Sequence, residues 1–481
     1  MTDSGPLLPS ADRAAGSARS AFLIAGTRSG VGKTTVALGL MGALASRGLA
    51  VAPFKAGPDF IDPGLHRLAA GRPSRNLDSW MMPPAAVAAS FARGLRGHDV
   101  AVVEGVMGLF DGAAGDDLSG SSADLARRLG IPVILVVDAS GMAASVAAVV
   151  HGFATLDPDV NVAGVILNRV ASPNHLEHLV DALNAHTTIP VLGHLPRDVG
   201  ISLPERHLGL VTAEDLSDEG VLTRMAERVA EGVDVDRLLA LTTITPPPAP
   251  AVVSLPEPVV RIGVARDAAF CFIYPDTVEA LEAAGARIVP FSPLSDPSLP
   301  EVDALYLPGG YPELHGEALS ANVPMLEAVR GAAGTGMPIY AECGGLVYLS
   351  QGVTRPDGAT FGFCGVLPAR CRLLEQRAAL GYREIAVTAD GPLGQAGSTL
   401  RGHEFHYAEI DRAALESSGV STTLTLARRG GKGARAEGYR VDNVLATWAH
   451  VLADHRVAAD WVAFVQTCRN TLAAQRSAGL S

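Results

Sequence analysis

Residues 21–35 read Ala-Phe-Leu-Ile-Ala-Gly-Thr-Arg-Ser-Gly-Val-Gly-Lys-Thr-Thr, an apolar run that passes into a glycine-rich turn and closes on Gly32, Lys33 and Thr34. With a helix predicted over Val36–Ser46, these are the parts of a phosphate cradle. Backbone N–H groups at the helix start surround phosphate oxygens, Lys33 reaches the outer phosphates, and the Thr34 hydroxyl holds Mg²⁺. Gly30, Gly32, Lys33, Thr34 and Thr35 are therefore the candidate residues for ATP. Strict spacing would put a glycine where Thr27 stands; Gly26 comes one residue early.

Outward from the loop, strand-like runs recur at Phe22–Ala25, Val51–Phe54, Val100–Val103, Val133–Val137, Val162–Leu167 and Val191–Leu195, separated by Ala-rich helical stretches. This alternation specifies an α/β fold with a doubly wound parallel sheet. Such sheets bind ligands at the carboxyl ends of their strands, where Lys55, Glu104, Asp138 and Asn168 stand. A glutamate ending an apolar strand in such a sheet is read as metal-linked, with substrate contact and helix capping as the other readings for Glu104. Asp111 and Asp138 divide between water-mediated metal contact and loop capping.

Thr242–Pro258, with Pro-Pro-Pro-Ala-Pro at 246–250, is expected to be an extended linker outside helix and central sheet. A second α/β alternation follows at Val259–Ala265, Ile288–Phe291, Ala304–Leu307 and Ile339–Ala341, and then a more irregular tail. The expected organisation is a disordered tail over 1–20, a nucleotide- and substrate-binding domain over 21–240, the linker over 241–258, and a second domain over 259–475.

At 481 residues, two domains are the default. A net charge of -12 and a pI near 5.5 argue against nucleic acid. Five cysteines without a CxxC pair indicate neither a disulfide framework nor a zinc knuckle. No membrane-spanning run and no signal peptide are read, so a cytoplasmic protein is expected.

A second chemistry lies at Met337-Pro-Ile-Tyr-Ala-Glu-Cys-Gly-Gly-Leu-Val-Tyr-Leu349, a strand, a sharp turn and a helix start around Cys343. The helix dipole is expected to favour the thiolate there, and N–H groups near Gly344 to form an oxyanion hole. Gly309 and Gly310, in Tyr306-Leu-Pro-Gly-Gly-Tyr311, would add N–H donors. His450, in Leu445-Ala-Thr-Trp-Ala-His450, is the candidate base. His403-Glu404-Phe405-His406 lacks the spacing of a zinc site and reads as structural or substrate-facing. His66, His194, His207 and His315 have no partner pattern and read as packed or solvated.

Cys-Gly-Gly, Pro-Gly-Gly-Tyr and Thr-Trp-Ala-His resemble a class I glutamine amidotransferase domain of flavodoxin-like fold, which draws ammonia from glutamine through a cysteinyl thioester. The common pattern has a glutamate two residues after the histidine; here Leu452 stands there, as in the cobalamin-pathway branch, and what orients His450 is open. The displaced phosphate loop resembles those of dethiobiotin synthetase and the partition ATPases, although Arg28 replaces the second lysine some of these carry.

Pro53-Phe-Lys-Ala-Gly-Pro-Asp-Phe-Ile-Asp62, Arg75-Asn-Leu-Asp78, Val103–Gly112, Ala269–Pro275 and Arg401-Gly-His-Glu-Phe-His-Tyr407, in this order, are similar to the cobyrinic or hydrogenobyrinic acid a,c-diamide synthases. The resemblance implies that Lys55, Asp59 and Glu104 gather around phosphate, Mg²⁺ and substrate carboxylates, with Thr34, Glu104 and Asp59 as metal ligands. It implies that Phe60, Ile61 and Asp62 line the tetrapyrrole and that Asn168 faces adenine. The implied activity is amidation of the a and c carboxylates through an acyl phosphate and channelled ammonia, with ATP, Mg²⁺ and L-glutamine; a homodimer is left open. Ile273-Tyr274-Pro275-Asp276-Thr277 departs from the family's Tyr-Tyr-x-Asp/Glu-Asn form, which keeps sirohaem or another sirohydrochlorin-type macrocycle as an alternative. A partition-like switch ATPase with a glutamine-sensing domain is the alternative of another class.

Overall fold

Strands buried along their whole length, such as Ala21–Gly26 and Val133–Asp138, need cover on both faces, and parallel strands joined through helices supply it. A computed structural model describes residues 19–113, 115, 117–201, 220–248 and 254–477, and the chain divides into two units between Val252 and Val253. In unit one, β1 (Arg19–Gly26), β2 (Val51–Ala56), β3 (Arg75–Leu77), β4 (Val100–Gly108), β5 (Val133–Asp138), β6 (Val162–Val170) and β7 (Val191–Pro196) form a parallel sheet in the order β3-β2-β4-β1-β5-β6-β7. Helix α1 (Lys33–Ser46) begins on the loop's own lysine, three residues before its predicted start, and α2 (Ile61–Ala70) follows β2.

The tail expectation needs correcting at its end, because Arg19 and Ser20 already belong to β1; Met1–Ala18 lie outside the described residues. The linker expectation is corrected too: β8 (Thr243–Ile244) pairs antiparallel with Arg19 and Ser20. Strand β5 first meets β1 at Leu23, so the start of β1 has backbone groups on that side for β8 to satisfy.

Unit two begins with the parallel strands β9 (Val260–Ala265), β10 (Ala286–Phe291), β11 (Ala304–Leu307) and β12 (Ile339–Glu342). What the sequence presents as an irregular tail is rich in strands: β13 (Gly352–Thr354), β14 (Thr360–Gly362), β15 (Cys371–Leu373), β16 (Ala379–Val387), β17 (Thr399–His406), β18 (Ala408–Ile410), β19 (Ser421–Arg428), β20 (Lys432–Val441), β21 (Val444–Thr447) and β22 (Ala449–His450). One sheet runs β10-β9-β11-β12-β21-β20-β19-β16-β17-β22, and β14-β13-β15-β18 form a second. Only Trp448 separates β21 from β22, yet five pairings lie between them along the sheet, so this half curls back on itself. The curl carries β17 to the end of β12, where Cys343 stands. Among the described residues no helix is long and apolar enough to cross a membrane.

Candidate active sites

The displaced glycine of the phosphate loop has a steric reason. A Cβ on Gly26 would lie 2.5 Å from Val31 Cγ2 and 3.0 Å from Lys33 Cγ, so Gly26 does the work expected of position 27. Gly32 caps α1 at φ 95, a left-handed conformation that favours glycine, and its Cα abuts Asn168. Asn168 Nδ2 donates to Val31 O at 2.8 Å, bracing the loop from β6. Asn168 also lines a cavity of about 410 Å³ with Gly32, Thr35, Ser140, Arg169 and Asp198. Asp138 accepts from Ser140, Arg28 and Arg169, which makes it a loop clamp.

Below the loop, the ends of β2 and β4 bring the predicted residues together. Glu104 Oε1 accepts from Thr34 Oγ1 at 2.7 Å and Lys55 Nζ at 3.2 Å, and Lys55 also pairs with Asp62. Asp59 spends Oδ1 on the N–H groups of Ile61 and Asp62 at the start of α2, so that oxygen serves as a cap. Phe60 and Ile61 stand half-buried at the same helix start.

His66 corrects the sequence reading. It is fully buried, its Nε2 lies 2.6 Å from Glu104 Oε2, and its Nδ1 lies 3.0 Å from Ser74 Oγ. Burial would raise the Glu104 carboxyl, but Lys55 and the bonds from His66 and Thr34 hold it well below the carboxylate range. Burial would lower Lys55, yet Asp62 and Glu104 keep it charged. Lys33 is lowered by burial and by Lys55, and its Nζ lies 3.4 Å from Arg28 O. Lys33, unlike Lys55, has no carboxylate partner among the described residues, so it is the cation whose charge a bound phosphate would restore.

In unit two, Cys343 sits between β12 and the helix Gly344–Leu349 at φ 45, ψ -100, a strained conformation worth on the order of 1–3 kcal/mol. A Cβ on Gly345 would meet Leu307 O at 2.0 Å, which explains the second glycine. The Gly344 N–H is directed at the sulfur, and Sγ approaches Phe405 O at 3.7 Å. The expected thiolate is corrected: burial, then Glu313 and further carboxylates, push the thiol well above its ordinary value and outweigh Gly344. A six-residue helix offers too little dipole to reverse that.

The β12–β21 pairing sets Glu342 against Thr447, and the Cys343 N–H donates to Thr447 O at 2.8 Å, so His450 follows within one short turn. Glu437 fixes that turn by accepting from Thr447 Oγ1 and Trp448 N. A Cβ on Gly309 would lie 2.3 Å from His450 Cε1, so Gly309 makes room for the imidazole, while its carbonyl accepts from Phe272 N. Gly310 N lies 2.9 Å from where a Gly344 Cβ would be.

Strand β17 contributes more than the sequence signals. His403 pairs in register with His450, Glu404 is buried between Arg383 and Arg435, and His406 stacks on Trp448 at 4.2 Å. His403 is pushed down to about 3 by burial, then by His450 and Arg383. Glu313 lines the cysteine cavity with Gly310, Tyr311, Phe405 and His406, and burial pushes its carboxyl up to about 7. The sequence reading missed Glu313 and Glu342; the one available signal is an acid beside a run of apolar or glycine residues. His194 is half-buried and lowered by that burial, and His207 lies outside the described residues.

Comparison with known proteins covers both units. Residues 22–211 match the CobQ/CobB/MinD/ParA nucleotide binding domain, and residues 261–458 match the CobB/CobQ-like glutamine amidotransferase domain. The chain is 47% identical over 93% of its length to the cobyrinate a,c-diamide synthase of Syntrophotalea carbinolica, 98% of which is covered. It is 42% identical over 89% of its length to that of Dehalococcoides mccartyi, with 94% of the relative covered. It is also 42% identical over 95% of its length to the hydrogenobyrinate a,c-diamide synthase of Streptomyces coelicolor, with 99% covered.

Proposed function

The chain belongs to the family of cobyrinate and hydrogenobyrinate a,c-diamide synthases, and we propose that unit one activates the a and c carboxylates of a cobyrinic-type macrocycle with ATP while unit two releases ammonia from glutamine. The chain is a glutamine-dependent amidating ligase of cobalamin biosynthesis.

In unit one, a substrate carboxylate oxygen attacks the terminal phosphorus of ATP, ADP leaves, and an acyl phosphate remains. Lys33 and Lys55 hold the phosphate and carboxylate charges, which a dry pocket makes worth more than in water. Thr34 and Glu104 are oxygen donors 2.7 Å apart, a set that suits Mg²⁺, while Asp59 contributes its second oxygen and its charge. When bound, the metal supplies charge neutralisation at the outer phosphates. Asn168, which lines the 410 Å³ cavity, is assigned to the base of the nucleotide. Phe60, Ile61 and Asp62 present the start of α2 to the macrocycle.

In unit two, Cys343 Sγ attacks the side-chain carbonyl carbon of glutamine. Its proton passes to His450 and then to the departing nitrogen, so ammonia leaves and a thioester forms. The N–H groups of Gly310 and Gly344 face the transient oxyanion. Water cleaves the thioester to glutamate. Ammonia then attacks the acyl phosphate, phosphate leaves, and one amide is made in each of two rounds.

The observation that carries this reading is the meeting of Thr34, Lys55 and Glu104 directly beneath the phosphate loop. The test is mass spectrometry of the protein with ATP, Mg²⁺ and glutamine, offering cobyrinic acid, hydrogenobyrinic acid and sirohaem in parallel. Two successive exchanges of a hydroxyl for an amino group are expected on a cobyrinic-type acid. Glutamine hydrolysis and ATP hydrolysis with no change in any macrocycle would remove the tetrapyrrole assignment.

A further inference from the structure

A histidine that takes a proton from a thiol works only if its other ring nitrogen is held in one tautomer and the ring in one orientation. Leu452, two residues past His450, has no group to do this. The residue immediately before the nucleophile does. Glu342 Oε2 lies 3.5 Å from His450 Nδ1, and both residues are buried to 1% exposure.

The carboxylate is itself tightly fixed. Oε1 accepts from Tyr340 OH at 2.7 Å and from Val451 N at 3.1 Å, and Oε2 accepts from Tyr306 OH at 3.0 Å. The two phenol rings stack at 5.6 Å, and Trp461 closes on both edge-on. Burial and the Glu342 charge push both phenols well above their ordinary range, so they stay donors. Among the described residues no lysine or arginine nitrogen comes within 4 Å of Glu342, which leaves His450 as its cation when the ring is protonated. The Val451 bond holds the backbone next to the ring by the same carboxyl group.

We infer that Glu342 is the positioning residue of the amidotransferase site, holding His450 through Nδ1 so that Nε2 receives the thiol proton. The inference rests on the glutamine reading of unit two. It assigns the task to the strand that carries the nucleophile. One local element, β12 with its turn, then supplies both the carboxylate and the sulfur, and only the base comes from far along the chain.

A carboxylate that merely anchored two tyrosines would leave the acid limb of the pH profile in place. His450 faces Glu342 from β12 and His403 from β17, with Phe272 against the ring and Gly309 beneath it. His403 stays neutral at working pH, so it does not compete for the proton.

The test measures glutamine hydrolysis against pH for the full chain and for Glu342→Gln, Glu342→Asp and Cys343→Ala, with ammonium chloride as an alternative nitrogen source for macrocycle amidation. Glu342→Gln should lower glutamine-dependent kcat by about 10²–10⁴ with KM little changed. Its residual activity should show an acid limb moved to lower pH, because the imidazolium loses its counter-charge. Glu342→Asp should recover part of the rate, and ammonium chloride should restore amidation in both. An unchanged kcat in Glu342→Gln, an unmoved acid limb, or a loss shared equally by the ammonium-driven reaction would each overturn the inference. Glutaminase activity surviving in Cys343→Ala would instead sink the amidotransferase reading on which it stands.

Discussion

Both sites stand at the carboxyl ends of parallel strands and both are built round a buried glutamate, but the two glutamates are satisfied in opposite ways. Glu104 faces Lys55, His66 and Thr34, and Lys55 is shared with Asp62, so the cation left for an anionic ligand is Lys33, whose Nζ meets only the Arg28 carbonyl among the described residues. Glu342 is held by neutral donors and by a ring that becomes its counter-ion only when protonated. Unit one is thus prepared for charge that arrives with the ligand. In the proposed reaction unit two meets charge that appears only during turnover, and burial with Glu313 and Glu342 pushes its thiol well above the ordinary value.

The largest expected effect tests this division of labour. Cys343→Ala should abolish glutamine-driven amidation, a loss of about 10⁴ or more, and leave the ammonium-driven reaction. Lys33→Ala should lose both by about 10³, because the proposed acyl phosphate serves the reaction whatever the source of nitrogen. Equal survival of the two reactions in Lys33→Ala would break the comparison.

A second prediction concerns Glu404, a buried glutamate of unit two paired with two arginines, Arg383 and Arg435. Burial would raise Glu404, but His406, Arg435 and Arg383 hold it at about 2 rather than 4.5. A depressed carboxyl stabilises the fold above its ordinary range and loses that contribution as pH falls toward 2. Glu404→Gln should therefore cost on the order of 3 kcal/mol at neutral pH. The gap from the parent should shrink below about pH 4 in denaturant titrations of the full chain. A gap independent of pH would mean that shape, not charge, is what Glu404 supplies.

His66→Ala is expected to be smaller, because Lys55 and Thr34 remain on Glu104. Losing a hydrogen bond to a buried charge should cost about 2 kcal/mol. ATP hydrolysis should fall with it while glutamine hydrolysis holds. Unimpaired ATP hydrolysis would show that His66 only packs.

The phosphate loop was legible in the sequence because its parts are contiguous, and even the displaced Gly26 could be seen, though not the contact with Val31 that explains it. The parallel strands were legible because both faces are buried, which leaves unbroken apolar runs. Strand β3 is only Arg75–Leu77 and carries no such run. His66 carries no signal in the sequence because its partner Glu104 lies 38 residues on, and Glu342 carries none because its partner His450 lies across a sheet that curls through six strands. Contacts of that range are set by topology, whereas the motifs around Lys33 and Cys343 are set by local chain geometry.

The smallest effect probes the thiol directly. Glu313 borders the cysteine cavity with its carboxyl pushed up to about 7 by burial, and after burial its charge is the main influence raising the Cys343 thiol. Above pH 7 Glu313 carries that charge and opposes the thiolate; below pH 7 it is increasingly neutral. Glu313→Gln should therefore speed alkylation of Cys343 by iodoacetamide a few-fold at pH 8, an effect under about 1 kcal/mol. At pH 6 the two proteins should react alike. The other buried cysteines make it necessary to score alkylation at Cys343 by peptide mass rather than by total label. Acceleration equal at both pH values would assign the effect to space in the cavity, and no acceleration at pH 8 would remove Glu313 from the set of charges that keep the nucleophile neutral until His450 takes its proton.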